Sequence, residues 1–168
     1  MKNYAVLSFD ESCGLRGLFK KDTFPYPVAY TDGVVSRLKS KMQGRTPWGI
    51  VIKGYIVSIN LPEQEMEPFE AEQYCKDIVF AGMMCQILPR GVLIIMMKNL
   101  ERINQMMITL GKKPFEAKWY MAENDNWLDP SLGYDPHFAG VHPHYLYDGV
   151  AYFYSDYEAG SFFPAVKL

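Results

Sequence analysis

Three histidines fall within eight residues, at His137, His142 and His144, with Asp135 and Asp148 close by. Imidazole and carboxylate together can bind zinc, and His142 and His144 would share one face of an extended segment. Pro143 stands between them, however, and the spacing follows no zinc motif. The three read as part of a polar, stacking surface loop, with no metal and no cofactor assigned; a metal-dependent enzyme built on the 137–144 loop and a structural phage or pilus component are the alternatives. Asn124-Asp125-Asn126 and Asp129 offer the hard oxygens that calcium favours. The same residue types build Asx turns, which is the reading taken here.

Nucleophilic chemistry has less to work with. Cys85 with a distant histidine can be written as nucleophile and base. Cys13, Cys75 and Cys85 are an odd set without a CxxC pair, and Cys75 can reach Cys85 only where the chain between them reverses. They read as buried reduced thiols, with one disulfide plus one free thiol as the alternative. No Gly-x-Ser-x-Gly elbow, phosphate loop or His-Glu-x-x-His helix occurs. The sequence therefore assigns no catalytic residue, and the chain is read as a non-enzyme.

Recognition has the better material. Beyond Trp119 the chain becomes aromatic, acidic and rich in turns, with Pro130, Gly133, Pro136, Gly140, Pro143 and Gly149 punctuating it. From Trp127 to Asp148 runs a loop of about twenty residues, longer than compact domains usually leave unstructured without a functional reason. Tyrosine and tryptophan give large, rigid contact area at low entropic cost. Trp127, Asp129, Tyr134, Asp135, Phe138, His142, His144, Tyr145, Tyr147 and Asp148 are the candidate ligand-contacting residues, several of them expected to show open ring faces. Part of any such set must also fill core.

The elements that would position this tail are legible upstream. Tyr4 to Phe9 reads as a strand and Glu11 to Pro27 as a loop or lead-in. Asp32-Gly33 marks a turn into an extended Val34-Val35. Trp48 to Ile52 and Tyr55 to Ile59 flank Lys53-Gly54 as a hairpin. Pro68 opens a helix that puts Ala71, Cys75, Ile78 and Val79 on one face and ends at Gly82. A second helix is expected from Val92 to Leu110, apolar round most of its circumference and stopped by Gly111 and Pro114. Its methionines, Met96, Met97, Met106 and Met107, read as core filling. Val150 to Tyr154 and Ser161 to Val166 read as closing strands.

Composition bounds the rest. With 168 residues, 49% of them hydrophobic and 21% charged, the chain can bury a core of its own and is not disordered throughout. A formal charge of −2 gives no basic face for phosphates, so no nucleic-acid partner is expected. The densest apolar run, Gly91 to Met97, is far shorter than a membrane span requires. Asp10 and Glu11 interrupt the short apolar stretch after Lys2, so no signal peptide is read, and location stays open between a protein that is not exported and one whose leader was removed.

Several segments in this order resemble a known family. Asp32-Gly33-Val34-Val35-Ser36, Thr46-Pro47-Trp48-Gly49-Ile50-Val51, Leu88-Pro89, Asn99, Ile103-Asn104, Leu110-Gly111-Lys112-Lys113-Pro114, Trp119-Tyr120-Met121-Ala122-Glu123, Ala151-Tyr152-Phe153-Tyr154 and Phe163-Pro164-Ala165-Val166 are similar to the motif series of bacterial C-type-lectin-like domains of the Bacteroidales. The resemblance covers residues 30–168, leaving 1–29 as an N-terminal strand and lead-in of one compact domain. It implies an α+β, C-type-lectin-like fold, with two helices flanking a small, mainly antiparallel sheet and a long irregular loop region. It also implies recognition of a partner protein or a glycan. The Glu-Pro-Asn or Gln-Pro-Asp and Trp-Asn-Asp triplets of calcium-dependent lectins are missing, so calcium independence is expected. No cysteine lies beyond Cys85, which sets the chain apart from the sulfatase-activating oxidase branch. The Tyr, Asn, Asp, His and Ser content from Tyr120 to Tyr157 resembles the variable region of proteins diversified by retroelements.

Overall fold

The structure, a computed structural model, describes residues 6–14, 21–124, 137–146, 152–153 and 158–168. Ser8–Phe9 (β1), Thr23–Tyr30 (β2), Val34–Leu38 (β3), Pro47–Ile52 (β4) and Tyr55–Ser58 (β5) come first, followed by the helix Pro68–Lys76 (α1). Val79–Phe80 (β6), Met83–Met84 (β7) and Gln86–Ile87 (β8) lead to the helices Arg90–Lys98 (α2) and Leu100–Thr109 (α3). Tyr120–Glu123 (β9), Phe138–Val141 (β10), Tyr152–Phe153 (β11), Ser161–Phe162 (β12) and Pro164–Lys167 (β13) complete the chain. The class is mixed α+β. One sheet runs β1-β3-β2-β4-β5-β13-β8, a second β11-β10-β9-β12, and β6-β7 form a separate hairpin. None of the described helices is long and apolar enough to cross a membrane.

Both faces of the large sheet are covered, because alternate residues of a strand point opposite ways. Val28, Tyr30, Ile50, Ile52 and Val57 join Leu93, Met96, Ile103 and Met106 in one core, under α2 and α3. Ala29, Ile56 and Val166 join Ala71, Cys75, Phe80 and Phe162 in a second, under α1 and the β6–β7 hairpin. All four methionines expected to fill core are buried.

Turn chemistry accounts for the hairpins. Lys53 (φ 47°) and Gly54 (φ 80°) both occupy the left-handed region that a tight two-residue β-turn needs. Gly49 is required for a different reason: a Cβ there would lie 2.5 Å from the Val57 carbonyl oxygen across the ladder. Asp32 closes the β2–β3 turn, accepting the Val34 N–H at 3.1 Å and pairing with Arg45 at 2.9 Å. Ser36, buried in β3, lies 3.1 Å from Ser12 Oγ, which itself accepts the Arg37 N–H at 2.8 Å. That contact ties the 11–13 turn to the sheet.

Of the strand expected over Tyr4–Phe9, β1 keeps Ser8–Phe9 and leaves Val6 and Leu7 outside it, and among the described residues three α-helices with a seven-stranded sheet stand where two helices and a small sheet were expected. Four further expectations need correction. The first concerns the lead-in: Thr23 to Pro27, expected as loop, belongs to β2, so a division at residue 30 cuts through a central strand. Pro25 and Pro27 are tolerated because the pairing with β3 shifts register between Thr23 and Val28, where their missing N–H groups break no ladder. Second, α1 stops at Lys76 rather than Gly82; Ala81 (φ 52°) and Gly82 (φ 78°) instead turn the β6–β7 hairpin, and Phe80 stacks on Trp48 at 4.1 Å. Third, the helix expected over Val92–Leu110 is two helices. Asn99 (φ −115°, ψ 21°) breaks it, its amide donating to the Ile95 carbonyl at 2.8 Å in competition with the backbone. Fourth, β10 lies inside the expected long loop. Gly111 does end α3, with Gly111 N–H on Ile108 O and Lys112 N–H on Met107 O, a Schellman cap. Tyr4, Ala5, Val150, Ala151 and Tyr154 of the expected strands lie outside the described residues.

Candidate functional site

Two anchors set the geometry of an exposed aromatic turn in the described part of the tail, residues 142–146. On one side, Val141 at the end of β10 is buried in the first core and Leu146 packs against it, so the turn between them is held at both ends. Within that turn the Tyr145 N–H donates to the His142 carbonyl at 3.1 Å, and the His144 N–H donates to His142 Nδ1 at 3.1 Å. On the other side, α3 clamps the segment leading into β9. Asn104 Oδ1 accepts the Phe115 N–H at 2.8 Å and its Nδ2 donates to the Phe115 carbonyl at 3.0 Å. The Tyr120 hydroxyl, pushed up in pKa by burial, donates to the Glu116 carbonyl at 2.7 Å.

Between these anchors the aromatic rings converge. Trp119 and Tyr145 stack with centroids 5.6 Å apart and planes within 3° of parallel. His142 lies 5.2 Å from Trp119 and 5.0 Å from Tyr145, and His144 lies 5.2 Å from His142. Trp119 is 38% and Tyr145 59% exposed, so part of the stack reaches solvent. Burial, and next the neighbouring His144, holds His142 below its ordinary pKa of 6.5 and favours the neutral ring.

His144 also lines a groove of about 600 Å³, together with residues of α3 and of the 114–117 segment. Its lining includes Met97, Leu100, Ile108, Pro114 and Pro143, with Ile108 63% exposed, and the charged Lys98 and Glu101. Pro114 also lines a second, more polar cleft of about 540 Å³, together with Glu63, Glu65, Lys112, Lys113 and Lys118. Both volumes fall within the range of small-ligand sites.

Of the candidate contact residues, His142, His144 and Tyr145 come together. Phe138 does not join them: it is 6% exposed and packed in the second core, as an inward position of β10 must be. Trp127, Asp129, Tyr134, Asp135, Tyr147 and Asp148 lie outside the described residues, as do Asp125 and Asn126 of the calcium candidate. Trp119 was not among the candidates. The available signal was Trp119-Tyr120 itself, since adjacent residues entering a strand face opposite ways and one of two bulky rings must then point out.

The histidines do not form one set. His137 and His142 flank β10 at opposite ends, about 17 Å apart at the rise of a strand. Among the described residues no three His, Cys, Asp or Glu side chains gather as a metal-binding group. Cys75 and Cys85 are buried free thiols, raised by burial to about 12 and about 11, and so remain protonated near neutral pH. A nucleophilic role for Cys85 has no electrostatic support. Cys13 is half-buried and free. Comparison with protein-family models, curated proteins and solved structures found no match.

Proposed function

We propose that this chain is a non-enzymatic recognition domain of C-type-lectin-like type, which binds a partner protein or a glycan without calcium. The observation that carries the reading is the partly exposed Trp119–Tyr145 stack, flanked by His142 and His144, of which His144 also lines the apolar groove. Rigid aromatic faces beside a concave apolar surface are what recognition sites use for affinity. The element order supports the family reading: a first helix, then the helical segment α2–α3, then an aromatic strand β9 and a C-terminal strand β13 returning to the large sheet. Composition of the 120–157 segment supports a variable protein of a diversity-generating retroelement, testable by finding a reverse transcriptase and a template repeat in the adjoining DNA.

The binding test screens the purified chain on a glycan array and by cross-linking capture, then titrates each purified hit. Trp119→Ala and Tyr145→Ala should each weaken binding about 30-fold, the equivalent of about 2 kcal/mol for a hot-spot ring. Melting temperatures should hold, and an EDTA arm should leave affinity unchanged. Hits that bind both variants as tightly as the parent chain would sink the assignment.

A further inference from the structure

The turn that carries Tyr145 is closed by a bond whose direction a single proton reverses. His142 Nδ1 accepts the His144 backbone N–H at 3.1 Å, which requires a bare ring nitrogen. The arrangement is the one an Asn or Asp side chain makes in an Asx turn, a side-chain acceptor on the N–H two residues on. Imidazole differs in that it can lose its acceptor near neutral pH.

We propose that protonation of His142 opens the 142–145 turn and releases Tyr145 from Trp119, so that the stacked surface is assembled at neutral and alkaline pH and dismantled in acid. Its meaning for a ligand rests on the recognition reading above; the switch itself does not.

The chemistry follows from the contacts. Protonated Nδ1 carries a hydrogen aimed at the His144 N–H, so two donors face each other and, among the described residues, the turn is left with the Tyr145 N–H bond to the His142 carbonyl. Attraction of an imidazolium to the Trp119 and Tyr145 rings opposes this, but at an exposed site it is modest. Among the described residues, surrounding charge gives little further help. His144, in the same turn and 5.2 Å away, repels a second positive charge. On the strand-entry segment Lys118 and Glu116 pair with each other at 3.8 Å, and the groove that His144 lines is also lined by Lys98 and Glu101, again one of each sign. The depressed pKa agrees in sign. A basic group held below its ordinary 6.5 contributes stability that is present above 6.5 and lost as pH falls through the folded-state value.

The test is a two-dimensional proton–nitrogen NMR titration of the labelled full chain from pH 8 to pH 5, reading imidazole nitrogens, the Tyr145 amide and the Trp119 indole N–H. Expected are a His142 ring with bare Nδ1 at neutral pH, a His142 midpoint below 6.5, and Tyr145 and Trp119 signals moving with that midpoint. His142→Asn restores a non-titrating acceptor, so both signals should lose that transition and keep their neutral-pH positions. His142→Ala should hold them at their acid positions throughout. A His142 midpoint at or above 6.5, or Tyr145 and Trp119 signals that ignore it, overturns the switch. A ligand that binds with equal affinity on both sides of a midpoint at which the turn opens removes the recognition assignment and supports the switch alone.

Discussion

Asn104→Ala tests the clamp that presents Trp119. Both ends of the Asn104 amide are engaged, accepting the Phe115 N–H at 2.8 Å and donating to the Phe115 carbonyl at 3.0 Å. Phe115 is only 8% exposed, and its ring packs edge-on against Phe163 at 5.0 Å, so the segment has no ready alternative position. Removing the amide orphans a backbone donor and a backbone acceptor, at about 1–3 kcal/mol each where water is excluded. Asn104 lines the groove, so water reaches part of the vacated site, which points to the lower half of that range. The total is about 3 kcal/mol, or a fall in Tm of about 6–12 °C for a chain of this length. Urea unfolding followed by circular dichroism should show a lower midpoint at unchanged slope. Near-ultraviolet ellipticity should fall as well, since the segment carrying the Trp119 stack loses its anchor. A stability change under about 0.5 kcal/mol would refute the clamp.

Two further substitutions probe the scaffold. Ile103, fully buried on α3 between the helix and the large sheet, should not tolerate Ile103→Asp: an unpaired charge in that core costs more than about 4 kcal/mol and should abolish the cooperative melt, while an unchanged Tm would contradict the packing. Gly49→Ala puts a methyl group 2.5 Å from the Val57 carbonyl oxygen and 2.9 Å from Ile56 Cγ2, and should cost about 1–3 kcal/mol by overpacking. Gly54→Ala has open space around it and should cost about 1 kcal/mol through its positive φ alone; equal losses at the two glycines in parallel melts would contradict the close approach of β4 and β5.

Local signals carried much of this fold in plain view. Lys53-Gly54 between two β-prone runs specified its hairpin because only residues that accept positive φ close so tight a turn. Pro68 and Gly111 marked a helix start and a helix stop, since a missing N–H is harmless in the first turn and a left-handed residue completes a Schellman cap. Asn99 was also in view, yet its effect was not: whether an asparagine amide takes a carbonyl from its own helix depends on what packs around that turn. Pro25 and Pro27 read as loop residues, and only the register shift beside β3 made room for them in a strand.

The candidate site divides the same way. Residue type alone marked the chain beyond Trp119 as aromatic, acidic and turn-rich, and the stretch from Trp127 to Asp148 as suited to contact. By themselves the spacings could not separate Phe138 from Tyr145, because the inward or outward direction of a ring depends on where a strand begins, and β10 was not distinguishable from loop. Nor could they bring Trp119 to His142 and Tyr145, a contact between residues more than twenty positions apart that exists because Asn104 fixes one segment and Val141 and Leu146 fix the other. What the amino-acid order determined was the set of turns, caps and apolar periods, all short-range preferences of the backbone and its nearest side chains. What the tertiary structure decided was which rings share a surface, because that depends on the register and packing of elements far apart in the chain.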